Sequence, residues 1–416
     1  MDNKQYIDTL CQGAKAASRV IANYTTVQKN NILRKIAADL KRKADYIIEE
    51  NKKDLKNAEK EGVSKALYDR LLLNKERVEG MAASIEEIAM LEDPIGRIEK
   101  MNVRPSGIRV GQMRVPIGVV AVIYEARPNV TTDIAALCIK SGNAAILRGG
   151  KEAINSNTAL HAVVSGALAE SGCPEGIVSF VDRTDRELVP ILLKMNRYID
   201  IVIPRGGEDL IKAVTAESSI PVIKHDKGVC HIFVDESAEE EMANRIAVNA
   251  KVQRPGVCNA METLLIHGKY RFKESLLQSL LENNVEIRGC ERTAAIFPDR
   301  IKRATEQDWG NEFLDLILAV KIVESLEAAM EHIARFGSGH SDAIVTSDYR
   351  SAERFLKEVD SAAVFVNAST RFHDGGEFGL GAEVGISTQK LHARGAMGVE
   401  GLTTLKYVVY GKGEVR

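Results

Sequence analysis

The chain has 416 residues, with 56 Lys plus Arg against 58 Asp plus Glu and a formal net charge of −2. That length is a prior for about two or three domains, and 45% apolar with 27% charged residues suits a chain that buries a core. The even charge shows neither the basic excess of a nucleic-acid binder nor a polybasic flank for an anionic membrane, so neither partner is expected. The opening segment, MDNKQYIDTLCQGAKAAS, lacks the basic and apolar regions of a signal peptide. The densest apolar run, Val115 to Tyr124, is about half of the ~20 residues a spanning helix needs. A soluble, cytoplasmic protein is expected.

Residues 1–100 read as helical. Thr25-Thr26-Val27-Gln28 has the form of a capping box, and behind it Ile32, Leu33, Ile36, Leu40, Ala44, Ile47 and Ile48 recur at helical spacing. A second periodic stretch carries Val78, Ile85, Ile88 and Leu91 and stops at Asp93-Pro94. These helices are assigned packing and no chemistry. Met101–Val115 then reads as a polar, alternating hairpin, with Gly401–Tyr410 as a separate tail strand.

Short β-rich runs follow at Gly118–Tyr124, Ala144–Arg148, Ile177–Asp182, Ile199–Pro204 and Ile220–Lys224. Helix-compatible segments separate them at Thr131–Lys140, Asn157–Glu170 and Glu208–Glu217. Such alternation predicts a parallel sheet covered by helices, which binds nucleotides beyond the carboxyl ends of its strands. A second α/β unit is predicted from Val229 to about Asp360, with strands at His231–Val234, Thr263–His267 and Leu316–Val323 and helices at Glu239–Ala250 and Arg271–Glu282.

The six cysteines, at 11, 138, 173, 230, 258 and 290, form no C-x-x-C or other metal-ligand pattern, and no two of the eight histidines are three to five residues apart. Neither a disulfide framework nor a metal site is expected. Cys138 and Cys230 sit in apolar runs and read as core; Cys11 falls in the first helix; Cys173 and Cys290 read as loop residues. Cys258 differs, because Lys251-Val-Gln-Arg-Pro-Gly-Val-Cys-Asn-Ala-Met-Glu262 is polar, punctuated by Gly and Pro, and precedes a strand. A bend there exposes a thiol, and Arg254 favours its reactive thiolate form; the alternative is an inert loop cysteine.

Two further patterns suit phosphate, although Gly-Gly between strand and helix is often just a turn. In Ile146-Leu-Arg148-Gly149-Gly150-Lys151 a strand runs into a Gly-Gly bend between two cations, next to a helix start at Asn155-Ser156-Asn157. In Ile203-Pro-Arg-Gly206-Gly207 another strand feeds Gly-Gly at a helix start, a place for a diphosphate. Gly379-Leu-Gly381-Ala-Glu-Val-Gly385 nearly spells the dinucleotide fingerprint, but its spacing is wrong and it reads as a flexible loop.

Pro116–Tyr124, Ser141-Gly-Asn-Ala-Ala-Ile-Leu-Arg148, a cysteine about 110 residues later, Asn311-Glu312-Phe313 and Val364-Phe-Val-Asn367 occur in that order. Across nearly its whole length the chain resembles the aldehyde dehydrogenase superfamily. Tyr124-Glu-Ala-Arg-Pro-Asn129-Val-Thr and Gln253–Ala260 resemble its branch that reduces acyl phosphates in proline biosynthesis. The resemblance implies an α/β, aldehyde-dehydrogenase-like fold: a Rossmann-type cofactor domain, an α/β catalytic domain and a small β oligomerisation element. The implied layout is cofactor-domain helices at 1–100, an oligomerisation hairpin at 101–117, the NADP-binding domain at 118–228, the catalytic domain at 229–360, and a return segment with oligomerisation tail at 361–416.

The same resemblance implies NADPH-dependent reduction of L-glutamyl 5-phosphate to L-glutamate 5-semialdehyde and phosphate through a thioester on Cys258. Asn129 or the backbone around Cys258 would form the oxyanion hole. Arg148, Gly149, Gly150, Lys151, Gly206, Gly207 and Glu312 would hold NADP(H). Arg127, Arg254 and Arg371 would bind substrate. Lys151 stands where NAD-preferring relatives often carry a Glu, which favours NADP. Hydrolytic members carry a Glu that activates water; the corresponding Lys224-His225-Asp226-Lys227-Gly228 has none. Self-association and a transient contact with the kinase that makes the acyl phosphate are implied partners. A cysteine hydrolase, a non-catalytic binding protein, and a dehydrogenase acting on another acyl group are the competing readings, and a general acid is not identified.

Overall fold

The computed structural model describes residues 2–224 and 227–416. Two compact units emerge. One comprises 1–224, 379–385 and 396–416; the other comprises 225–378 and 386–395.

The first unit opens with helices α1 (Asn3–Ile21), α2 (Thr26–Arg42), α3 (Ala44–Glu61), α4 (Lys65–Leu71) and α5 (Lys75–Met90). The expected capping box is formed, with Thr25 and Gln28 satisfying each other's backbone N–H groups. Strands β1 (Ile98–Val103) and β2 (Arg109–Pro116) make the hairpin. The unit's own sheet uses β3 (Val119–Tyr124), β4 (Ala144–Gly149), β5 (Val178–Phe180) and β6 (Ile201–Arg205) in the order β5-β4-β3-β6, all parallel. β3 is buried throughout, as a central parallel strand covered on both faces must be. Between the strands run α6 (Asn129–Lys140), α7 (Ile154–Glu170) and α8 (Leu188–Leu192), and α9 (Glu208–Glu217) follows β6.

One expected strand is absent. Ile220–Lys224 makes a single bridge, Val222 to Val202, at the sheet's edge beside β6. Pro221 has no N–H to donate, which limits a ladder there; its carbonyl accepts from Val202 N and the contact goes no further than Ile223 N to Val202 O, both 2.9 Å.

The second unit holds β7 (Cys230–Val234), α10 (Glu240–Val252), β8 (Met261–His267), α11 (Lys273–Glu282), β9 (Glu286–Gly289), α12 (Glu291–Ala294), β10 (Lys302–Arg303), β11 (Ile317–Val323), α13 (Leu326–Phe336), β12 (Ser341–Val345), α14 (Tyr349–Glu358) and β13 (Ala363–Val366). Its seven-stranded sheet runs β10-β9-β11-β8-β7-β12-β13 with parallel pairings throughout. β7 and β8, completely buried, lie near its centre. The last segment carries the two-residue strands β14 (Ile386–Ser387) and β15 (Gly395–Ala396), then β16 (Thr403–Tyr410). β16 pairs antiparallel with β2 over its full length, completing a three-stranded ribbon β1-β2-β16 in the first unit. No helix among the described residues is long and apolar enough to cross a membrane.

Candidate functional site

In the second unit the chain must leave α10 before Pro255, because a residue preceding proline is driven out of the helical region. Residues 253–260 therefore form a turn that delivers the chain into β8, and Cys258 lies on it, partly exposed. The turn is tied down from below. Cys230 Sγ–H, at the start of β7, donates to the Cys258 carbonyl at 3.1 Å. Burial pushes the Cys230 thiol far up, so it stays a neutral donor. Gly228 passes so close that a Cβ there would lie 2.5 Å from Cys258 Cα. No side chain fits in that space.

A second clasp comes from the 3₁₀ turn Thr370–Phe372. Thr370 Oγ1 donates to the carbonyl of Asn259 at 2.8 Å, and Asn259 Nδ2 donates to the carbonyl of His373 at 3.0 Å. Arg371 donates through Nη1 to Asn259 Oδ1 and through Nε to Gln253 Oε1, the latter at 2.8 Å. Burial, then the neighbouring Arg254, lower the Arg371 guanidinium's hold on its proton, while Cys258 acts the other way. A cation that interacts with a nearby thiol favours the thiolate over the thiol. Arg254 itself is exposed on the same turn, and Glu312 is half-buried in the coil before β11. Thus Cys258, Arg254 and Arg371 are brought together on one turn and its clasp.

His373 closes this clasp. Its Nδ1 shares a 2.8 Å hydrogen bond with Ser341 Oγ, and burial lowers the imidazole from 6.5 to about 4. The folded chain therefore binds fewer protons than the unfolded chain between those values. Stability from this group is complete above about pH 6.5 and is lost as pH falls toward about 4. At about 1.4 kcal/mol per unit the loss approaches roughly 3 kcal/mol. Denaturation melts across that window should show a steeper acid loss for the parent than for His373→Gln; parallel curves would contradict this assignment.

In the first unit the carboxyl ends of β4, β3 and β6 lie side by side. The chain moves from β3 to β4 and β5 on one side and returns to β6 on the other. That reversal is the topological switch point at which open α/β sheets bind ligands. Arg148, the last residue but one of β4, is half-buried, with Nη1 donating to the Gly149 carbonyl at 2.8 Å and burial lowering its hold on its proton. Its Nε and the neighbouring Asn157 Nδ2 are buried donors with no hydrogen-bond acceptor. Lys151 is exposed, 3.6 Å from Glu61 at the end of α3. At β6, Gly206 and Gly207 lead into α9, and Gly207 N–H donates to Glu125 Oε2 at 2.9 Å.

The turn after β3 carries Arg127, part-buried, and Asn129, whose Nδ2 donates to Asp133 Oδ2 at 2.9 Å one helical turn on. Burial raises the Asp133 carboxyl to about 6.

Helices to which the sequence reading gave packing alone hold this edge. Asp54 on α3 accepts from Ser156 N at 2.8 Å and from Asn155 Nδ2 at 2.7 Å, capping the start of α7 just beyond Lys151. Leu55, Ala58 and Leu71 pack against Ala126 and Ala153, one from each strand-end turn.

Sequence reasoning missed Gly228, Cys230, Gln253 and Asn259 around the Cys258 turn, and Glu125 at the glycines. A core-forming cysteine and a lone glycine carry no distinctive spacing, whereas Asn259 stood next to Cys258 and was a visible candidate. His225 and Asp226 lie outside the described residues, so the expected lack of a water-activating Glu there has no structural counterpart. Among the described residues, no cluster of three or more His, Cys, Asp or Glu is arranged to hold a metal ion.

The model of the aldehyde dehydrogenase family matches residues 1–290. γ-Glutamyl phosphate reductase from Caldanaerobacter subterraneus subsp. tengcongensis is 54% identical over 412 residues, 99% of each chain. The enzyme of that name from Clostridium acetobutylicum is 53% identical over 418 residues, covering all of both. The crystal structure of γ-glutamyl phosphate reductase from Thermotoga maritima superposes with a TM-score of 0.96 at 46% identity over 99% of each chain. An acetylating aldehyde dehydrogenase from Geobacillus thermoglucosidasius shares the fold at 18% identity, with a TM-score of 0.71 over 100% of this chain and 98% of that one. The chain belongs to the aldehyde dehydrogenase family and, within it, to the γ-glutamyl phosphate reductases.

Proposed function

We propose that this chain reduces L-glutamyl 5-phosphate to L-glutamate 5-semialdehyde and phosphate, the reductive step from glutamate toward proline. The observation that carries the mechanism is the Cys258 turn, pinned by Gly228, Cys230 and Arg371 with Cys258 partly exposed.

The Cys258 thiolate attacks the acyl carbon of the γ-glutamyl phosphate. A C–S bond forms, the C–O bond to phosphate breaks, and a thioester remains on Cys258. Arg254 and Arg371 offer planar, paired donors suited to a carboxylate or a phosphate, so they bind substrate and stabilise the departing anion. Arg127, on the turn after β3, is proposed as a further substrate cation. The backbone at Cys258 is the simpler oxyanion donor, because Asn129 spends its amide on Asp133. A nicotinamide cofactor, which the family uses, supplies the hydride that takes the thioester to the aldehyde level when bound. The chain's remaining task is to release the aldehyde and recover the Cys258 thiolate.

The β4 and β6 ends fit such a cofactor. Arg148 and Asn157 present buried donors without acceptors, and the switch point places them where nucleotides bind. Arg148, Gly149, Gly150, Lys151, Gly206 and Gly207 would hold the dinucleotide, with Glu312 taking the nicotinamide ribose. NADP(H) is the preferred form, since Lys151 and Arg148 attract a 2′-phosphate that a carboxylate would repel. Lys151→Glu should lower the ratio of kcat/KM for NADP to that for NAD by roughly 10–100-fold, or about 1.4–2.7 kcal/mol. An unchanged ratio would remove Lys151 from the preference. The activity itself is tested by following reduction of NADP with glutamate 5-semialdehyde: it should require inorganic phosphate. Phosphate-independent turnover, or none, would point to another acyl chemistry.

A homo-oligomer joined through the β1-β2-β16 ribbon, which the family resemblance implies, is proposed here, as is a transient contact with the kinase that makes the labile acyl phosphate.

A further inference from the structure

A lysine and a glutamate bracket the nucleophile turn. Lys251 lies in the last turn of α10 and Glu262 is the second residue of β8, so the turn 253–260 lies between them. Both side chains are completely buried, and Lys251 Nζ meets Glu262 Oε2 at 2.7 Å. The other carboxylate oxygen, Glu262 Oε1, accepts the backbone N–H of Leu314 at 3.2 Å. Leu314 has φ 55, a left-handed conformation that a leucine adopts only when its surroundings hold it there. It stands two residues beyond Glu312.

Isolated buried ion pairs are poor stabilisers, because desolvating both charges offsets most of their attraction. Burial pushes the Glu262 carboxyl up to about 7 and lowers the Lys251 ammonium, each partly restored by the other. An apolar pair would fill the same space at less electrostatic cost. What the ion pair adds is geometry: one carboxylate fixes the two ends of the Cys258 turn and the backbone that carries Glu312.

We propose that Lys251 and Glu262 are positioning residues that set the Cys258 turn and the Glu312 segment in register with each other. The inference rests on the reading of Cys258 as nucleophile and Glu312 as cofactor contact. It assigns the two oxygens of Glu262 separate tasks: Oε2 holds the turn through Lys251, and Oε1 holds the Glu312 segment through Leu314.

The division of tasks makes the test specific. Lys251→Met/Glu262→Leu removes both charges and keeps an apolar filling, so its melting temperature should stay close to the parent's. Its Cys258 should react with iodoacetamide, read at that residue by peptide mass spectrometry, on the order of 10²-fold more slowly, with kcat falling comparably. Its KM for NADPH should also rise. Glu262→Gln keeps an acceptor for Leu314 but loses the ionic clamp. It should slow alkylation by about tenfold while leaving KM for NADPH within about twofold. A folded double variant that keeps alkylation and kcat within about threefold of the parent overturns the proposal. Should the double variant not fold, Glu262→Gln decides alone: unchanged alkylation, or a cofactor KM that rises in step with it, overturns the proposal. Alkylation is read without substrate or cofactor, so it reports on the pair even if the proposed reaction fails, and that reaction is judged separately by Cys258→Ser.

Discussion

Cys258→Ser should lower phosphate-dependent reduction of NADP by glutamate 5-semialdehyde on the order of 10³-fold or more, with little change in melting temperature. Serine is nearly the same size, and the contacts that pin position 258 are made by its carbonyl and its Cα, which the substitution leaves in place. What disappears is the thiolate, a far better nucleophile and leaving group than an alkoxide near neutral pH. Activity within about tenfold of the parent would show that acyl transfer does not pass through this residue. The serine variant also distinguishes the competing readings: a binding protein on this fold would keep its function, and a thiol hydrolase would lose an activity that needs no nicotinamide.

Gly228→Ala should be the most damaging single-methyl change in the second unit. The added Cβ meets the Cα and carbonyl of Cys258, and both neighbours are backbone, so no flexible side chain can yield. Overpacking of this kind costs about 1–3 kcal/mol, more where the backbone must shift. If Cys258 is the attacking group, its displacement by about 1 Å costs on the order of 10²-fold in rate. Thermal melts and kcat measured together should both fall. If kcat stays within a few-fold of the parent, the close approach of Gly228 does not set the position of the turn.

Local signals were legible wherever one segment settled its own conformation. Glu208–Glu217 is a helix at the limits its sequence suggests, because Gly207 precedes it and its apolar spacing is consistent. The Thr25 capping box is likewise complete within four residues. Ile220–Lys224 shows the limit: its β-branched residues read as a strand, and the missing N–H of Pro221 together with its edge position reduced it to a bridge. Cys258 was marked by its polar, bent surroundings. Its anchors were not, since the Cys230 thiol reaches it from 28 residues away and Arg371 reaches Asn259 from 112. Lys251 and Glu262 stood at the two ends of the polar segment around Cys258, but their pairing appears only when α10 and β8 become neighbours. Glu125 at Gly207 spans 82 residues. Contacts of that range are decided by which strands become neighbours, and a linear pattern does not encode that directly.

The ribbon has a consequence for the order in which this molecule is made. β2 is synthesised long before its partner β16; Arg114 and Thr403, hydrogen-bonded at 3.0 Å, are 289 positions apart. The buried Asn143 amide likewise awaits the carbonyl of Leu402. The whole of the second unit emerges from the ribosome in between. The unit that carries Cys258 can therefore complete its sheet while the first unit still has an unpaired β2 edge, a surface prone to wrong pairing until β16 arrives. The first unit's ribbon closes only after the second unit has been made.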